Sequence, residues 1–259
     1  MVFLLRIALF LLIIFFSYSQ VAVASVLADR IEQYPNWNSK PPVQIAKGDL
    51  VYPEWINGTW NVTSTLTEQV APLAPDLVTP GFETNQKYLN QPVNFQVRFG
   101  KEYFIADKNL LLPQSFNQIP VVADRVFNSQ NIAQAYLGNG SVFKVKVDPE
   151  NPNQQITLLK GGRKLISTVT ERASEIPNAE RFIATEVTQQ LFRSPQRIYL
   201  NKVETTTSYQ LIQPDLIKAD QFTAIYLSPQ DPDYFKAINR PVAIYRYRLS
   251  LQRNSPQIS

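Results

Sequence analysis

The sequence predicts an all-β protein built as a single antiparallel β-barrel with little helix, and three observations carry that prediction. Apolar residues recur at every second position through most of the chain. Gly- and Pro-rich turns punctuate these runs at hairpin spacing, and stretches with helical periodicity are scarce. About ten antiparallel strands in one open sheet would leave two unpaired edges, which closure into a barrel removes. A two-sheet β-sandwich is the alternative.

The first 28 residues read as an address rather than as fold. One cation, Arg6, precedes an unbroken apolar run from Ile7 to Phe16, followed by small residues. Ala22-Val23-Ala24 fits an A-x-A cleavage site, and Val26-Leu27-Ala28 is a second candidate. An uncleaved anchor is the competing reading, although the run is shorter than the roughly 20 residues of a membrane span. Either way the mature chain is expected outside the cytoplasm, in a periplasm or thylakoid lumen. Residues 29–50 are polar and Pro-rich and are expected to form an extended lead-in. Residues 51–259 form the barrel domain.

From Gly58 the alternation begins. Trp60, Val62, Ser64 and Leu66 fall on one face of a strand, with Thr59, Asn61, Thr63 and Thr65 on the other. "NFQVRF", "VFKVKV" and "YRYRLSL" repeat the pattern, with one apolar and one polar face each, as an antiparallel sheet requires. Gly161-Gly162 reads as a two-residue hairpin turn, Asn139-Gly140 as another, and "DPENPN" as a longer connection. Further strands are expected at "RFIATEVTQQLF", "QRIYLNKVETTTSYQLI" and "FTAIYLS". The helical candidates are residues 129–137 and a single turn within 231–238.

Composition excludes several chemistries. The chain has no Cys and no His. Disulfides, thiolate nucleophiles, imidazole bases and His- or Cys-ligated metals are therefore ruled out. Its 25 Lys+Arg against 21 Asp+Glu lack any block of like charge, which argues against nucleic acid as a partner. The acidic turns at Asp148, Glu150, Asp231 and Asp233 lack calcium-loop spacing and read as β-turns. Ser141-x-x-Lys144 lies on a strand, which puts the two side chains on opposite faces. Gly161-Gly162-Arg163-Lys164 lacks the strand–loop–helix setting of a phosphate site. No cofactor, metal site or catalytic residue is implied, and an enzyme is the least supported class.

Tyr52, Trp55 and Trp60 crowd around Gly58, and Gly58-Thr59-Trp60 at the start of the first strand resembles the Gly-x-Trp signature of lipocalins and other calycins. That resemblance implies that Trp60 closes the narrow end of the barrel. It also implies that an Arg near the end of the last strand, Arg248 or Arg253, packs across the indole. The phrases "APLAPDLVTPGFETN" and "NIAQAYLG" are similar to a group of cyanobacterial and plastid proteins, which suggests a photosynthetic source and brings no known activity. The chain departs from typical lipocalins in its length and in having no disulfide.

After the first strand comes a loop of about two dozen residues, stiffened by Pro72, Pro75, Pro80 and Pro92. If Trp60 marks the closed end, this loop starts at the open mouth and can fold over it, with Leu77, Val78, Phe82 and Tyr88 as its apolar, ligand-facing side. A loop packed on the outer wall is the alternative. The functional expectation is a binding protein for a hydrophobic small molecule such as a lipid, pigment or terpenoid. The runner-up is a non-enzymatic assembly factor for a membrane-associated complex, with a filled barrel. Membrane contact is expected only through an uncleaved leader.

Overall fold

The computed structural model describes residues 25–79, 81–103, 119–195 and 198–254, so the apolar leader lies outside the described residues. All named strands belong to one strongly curled antiparallel sheet that forms a half-barrel, and the sandwich alternative is not what forms. In chain order the strands are β1 (Gln44–Ile45), β2 (Gly58–Val70), β3 (Pro92–Gly100), β4 (Val122–Ala123), β5 (Val142–Val147) and β6 (Gln154–Leu159). Then come β7 (Arg163–Asn178), β8 (Arg181–Arg193), β9 (Ile198–Gln213), β10 (Leu216–Leu227) and β11 (Ala243–Arg253). The order across the sheet is β4-β3-β2-β11-β10-β9-β8-β7-β6-β5, with β1 paired to the middle of β7 at Glu171 and Arg172.

The alternation in sequence becomes an inside and an outside. Trp60, Val62, Ser64 and Leu66 of β2 are all buried on the inner face, while Asn61 and Thr63 are exposed. Tyr247, Leu249 and Leu251 pair opposite Leu66, Ser64 and Val62, so the same parity continues into β11. The β6–β7 hairpin is a three-residue connection rather than the expected two, with Gly161 and Gly162 both at positive φ. Asn139-Gly140 joins a helix to β5 rather than two strands.

The barrel does not close by strand pairing. Helix α2 (Arg125–Leu137) lies across the open side and touches both flanks of the sheet. Against β3, Asn128 accepts from the Arg98 amide (2.6 Å) and donates to its carbonyl (3.1 Å). Against β5 and β6, Ala133 packs on Val142, Val145 and Leu159, and Ser129 donates to Gln155. Asp124 caps the helix by accepting from the Phe127 amide at 3.0 Å, and the same carboxylate pairs with Arg98 at 2.6 Å. The edges are thus covered by a helix instead of abolished. This helix starts four residues earlier than residues 129–137.

The lead-in is not simply extended. It opens with helix α1 (Val26–Glu32), where Leu27, Ala28 and Ile31 share one face and pack on Ile183 and Ala173, on the outside of the sheet. Trp37 and Tyr34 follow onto Phe222, Ala224, Tyr226 and Ile244. The boundary drawn at residue 28 therefore cuts through a helix. Arg30 locks this arm down. Its guanidinium forms two 2.7 Å bonds to Glu204, whose side chain is fully buried, and lies 4.1 Å from the Trp37 ring. Tyr226 (2.7 Å) and Thr206 (2.9 Å) donate the remaining bonds to Glu204, so the buried carboxylate is fully partnered.

Candidate ligand cavity

One end of the barrel is shut by packing around Trp60. Trp60 is 0% exposed, its indole donates to the Ile56 carbonyl (2.7 Å), and the Arg253 guanidinium lies 4.3 Å from its ring. Arg253 also donates to the carbonyls of Asn57, Trp55 and Pro214, so it staples the chain entering β2 to the end of β11. Of the two candidate arginines it is Arg253 that takes this place. Arg248 sits beside Asp220 and Arg181 around a separate surface hollow. Gly58 makes the staple possible: its φ is +126°, and a Cβ there would stand 2.6 Å from Arg253 Nη1.

The Pro-rich loop covers the opposite end in part. Phe82 packs against Tyr245 with ring centroids 6.0 Å apart, and Tyr88 stands beside Leu66, Leu89 and Tyr136. Leu77 packs instead on Leu227, Ala237 and Val242 around the β10–β11 connection, and Val78 is exposed. None of the four expected ligand-facing residues lines the interior cavity. Phe82 and Tyr88 form part of an end cap, and Pro80 lies outside the described residues.

Between the two ends lies a cavity of about 270 Å³. Val62, Phe95, Val97 and Leu249 give it an apolar floor, and Ile132 and Tyr136 of α2 form the opposite wall. Four tyrosines (Tyr52, Tyr136, Tyr209, Tyr247) contribute ring faces and hydroxyls, and Ser64, Gln221 and Thr223 add neutral polar groups. No Lys, Arg, Asp or Glu is part of the described lining. Burial pushes the Tyr209 phenol up to about 12, and pushes those of Tyr52 and Tyr247 up as well. All three are therefore neutral hydroxyls at physiological pH rather than phenolate bases. Tyr52 meets Phe99, Phe182 and Tyr209 at centroid distances of 4.8, 5.4 and 6.3 Å, which makes it a cavity wall, whereas Trp55 and Trp60 serve the closed end.

A smaller chamber of about 180 Å³ adjoins the cavity and shares Tyr52, Ala123 and Asn128 with it. Here the charges are fixed in pairs. Arg125 meets Asp49 at 3.0 Å, and Arg172 meets Glu186 at 2.7 Å and Asn153 at 2.8 Å. Every one of these groups is engaged, so the chamber offers a polar field rather than a free acid or base. Among the described residues no group of three or more Asp or Glu is placed to hold a metal ion.

The residues that sequence reasoning missed are Tyr136, Tyr209 and Gln221. Tyr209 follows a Thr run and reads as one of many strand positions; only the curl of the sheet brings it opposite Tyr52 across the interior. Tyr136 lies in the helix expected from sequence, but nothing in the sequence places that helix across the barrel.

A protein-family model described as a domain of unknown function (DUF6816) matches residues 44–255. The comparison with curated proteins and the comparison with solved structures each returned no match.

Proposed function

The chain belongs to the DUF6816 family, a membership that assigns no chemistry, and from the barrel itself we propose an exported binding protein for a small, neutral, largely apolar molecule. The single observation that carries this reading is the cavity of about 270 Å³, walled by apolar and phenolic groups and free of charged side chains among its described lining. A carboxylate or ammonium buried there would lose its hydration without gaining a counter-ion. An apolar body gains from Val62, Phe95, Val97 and Leu249, and one hydroxyl or carbonyl finds Tyr136, Tyr209, Tyr247 or Ser64. The adjoining chamber with Asp49, Arg125 and Glu186 orients the polar end of the ligand toward Tyr52 and Asn128. A terpenoid alcohol or a compact pigment fragment fits this description better than a long fatty acid.

Entry runs along α2, a helical wall of the cavity with no fully buried residue. The Gly58–Trp60–Arg253 staple at the other end supports the likeness to lipocalins, and the leader with its Ala22-x-Ala24 motif supports export. The test is displacement of a neutral fluorescent probe, N-phenyl-1-naphthylamine, from the purified chain. Terpenoid alcohols are expected to displace it at least tenfold better than carboxylates of equal size, and Leu249→Trp, which fills the cavity, is expected to abolish probe binding. Absence of probe binding, or unchanged binding by Leu249→Trp, overturns the proposal. Native mass spectrometry of protein from its natural source would then identify the ligand.

A further inference from the structure

The outer face of the sheet is finished differently at its two ends. From the row of Val187 and Glu204 onward it is covered by the N-terminal arm, through Leu27, Arg30 and Trp37. At the other end the register builds two rows that no part of the arm reaches. Residues directly opposite in antiparallel pairs project on the same side of a sheet. The first row across β5 to β9 is Lys144, Leu158, Lys164, Arg193 and Ile198. The second is Lys146, Ile156, Ile166, Leu191 and Leu200.

These rows face outward, because the alternate positions Val145, Leu159 and Phe192 pack inward beneath α2. None of Ile156, Ile166, Leu191 and Leu200 belongs to the packed core clusters, and Ile198 is 64% exposed. Phe143, at the bulge of β5, is 70% exposed beside them. A polar row (Gln154, Thr168, Gln189 and Lys202) separates this patch from the arm.

The charge on the patch has one sign. Lys144, Lys146, Lys164, Arg193 and Lys202 surround the apolar row, no acid occupies the first two rows, and none of these cations takes part in an ion pair among the described residues; Asp148, whose amide donates to the Gln154 carbonyl, stands at the β5 end of the polar row. Elsewhere the balance is nearly even, with 25 Lys+Arg against 21 Asp+Glu in the whole chain. An open groove of about 590 Å³ at the same end is lined by Phe143, Leu158, Arg163, Lys164 and Arg193, and so extends the mixture of cations and apolar groups.

We propose that this outer face of β5–β9 is a docking surface for an anionic lipid bilayer, an association beyond the ligand cavity and separate from any anchoring by the leader. Lys and Arg side chains reach headgroup phosphates while their stems, together with Phe143, Ile198 and the Ile166–Leu191 row, enter the interfacial region. A bilayer satisfies both parts of the patch at once, whereas solvent satisfies only the cations. The groove leaves the barrel interior untouched, so a docked protein can still exchange a ligand along α2.

The test is co-sedimentation of the full chain with vesicles of phosphatidylcholine alone and with about 30% phosphatidylglycerol added, the charge that attracts Lys and Arg. The leader carries a single cation, Arg6, so its own partition is nearly common to both vesicle types, and the readout is the increment that phosphatidylglycerol adds. That increment is expected to fall about fivefold for each cation removed, so about 25-fold for Lys164→Gln/Arg193→Gln, and to collapse when NaCl rises from about 0.1 to about 0.5 M. Phe143→Ser/Ile198→Ser, both exposed, is expected to weaken it similarly with an unchanged melting temperature. Equal binding to both vesicle types, or an unchanged increment in either double variant, overturns the proposal. So does a salt-insensitive dimer that buries this face.

Discussion

Gly58 shows how one residue can be fixed by two independent constraints. Its φ of +126° disfavours any side chain, and the space a Cβ would fill belongs to Arg253, whose Nη1 would lie 2.6 Å away. Gly58→Ala is therefore expected to cost about 2–3 kcal/mol, on the scale of a strained backbone position combined with a displaced side chain. A double-mutant cycle separates the two causes. In an Arg253→Ala background the clash is gone and only the backbone strain remains, so the further cost of Gly58→Ala should drop by about 1 kcal/mol in urea titrations. If the cost is the same in both backgrounds, Arg253 does not constrain the glycine. The Gly-x-Trp spacing was legible in the sequence because the constraint is local. The choice of Arg253 over Arg248 was not, since it depends on where β11 ends: Arg253 pairs with Trp60, whereas Arg248 pairs with Thr65 on the outer side.

At the scale of elements, strands were legible and their coverings were not. Period-two alternation reports which face of a strand is buried, and β2 follows it from Trp60 to Leu66, whereas at the start of β11 Ala243, Ile244 and Tyr245 are buried on both faces. It does not report what buries the second face. Glu204 in "NKVETTTSYQ" has the parity of an outer, solvated residue, yet it is 0% exposed because α1 brings Arg30 over it. That helix was hidden because Val26-Leu27-Ala28 reads equally well as the tail of a leader. Arg30→Met is expected to cost about 3–5 kcal/mol, because it leaves the Glu204 carboxylate buried without its counter-ion. Arg30→Met/Glu204→Met should recover most of that loss, since two apolar groups need no partner. Urea midpoints of the unsubstituted chain and of these two variants check this. A double variant as unstable as Arg30→Met alone would mean that the arm is held by Leu27 and Trp37 packing and not through the ion pair.

The whole molecule is a curled sheet whose open side is shut by a helix and whose interior is rich in phenols, and the two features meet in its response to alkali. Burial raises the phenols of Tyr34 and Tyr209 from 10.0 to about 12, and it also raises those of Tyr52, Tyr226, Tyr245 and Tyr247. A group whose folded pKa lies above its unfolded value favours the folded state fully below the unfolded value. That advantage declines as pH rises toward the folded one, because the unfolded chain releases its proton first. The stability of this protein should therefore be insensitive to these groups up to about pH 10 and fall steeply between about pH 10 and 12. These tyrosines sit on both faces of the sheet. Tyr34 belongs to the N-terminal arm and Tyr226 lies beneath that arm, and Tyr52, Tyr209 and Tyr247 line the cavity. Their ionisation should therefore be cooperative with global unfolding, and probe release from the cavity should follow the same curve as loss of near-ultraviolet circular dichroism. Tyr209→Phe, which removes one such group, should flatten the decline between pH 10 and 12 while leaving the neutral-pH shape of the cavity intact. Tyrosinate absorbance that develops near pH 10 with the circular dichroism unchanged would show that the phenols are reached by solvent in the native state. The cavity wall along α2 would then be open to water and ions, and the preference for neutral ligands would have to come from somewhere other than exclusion of charge.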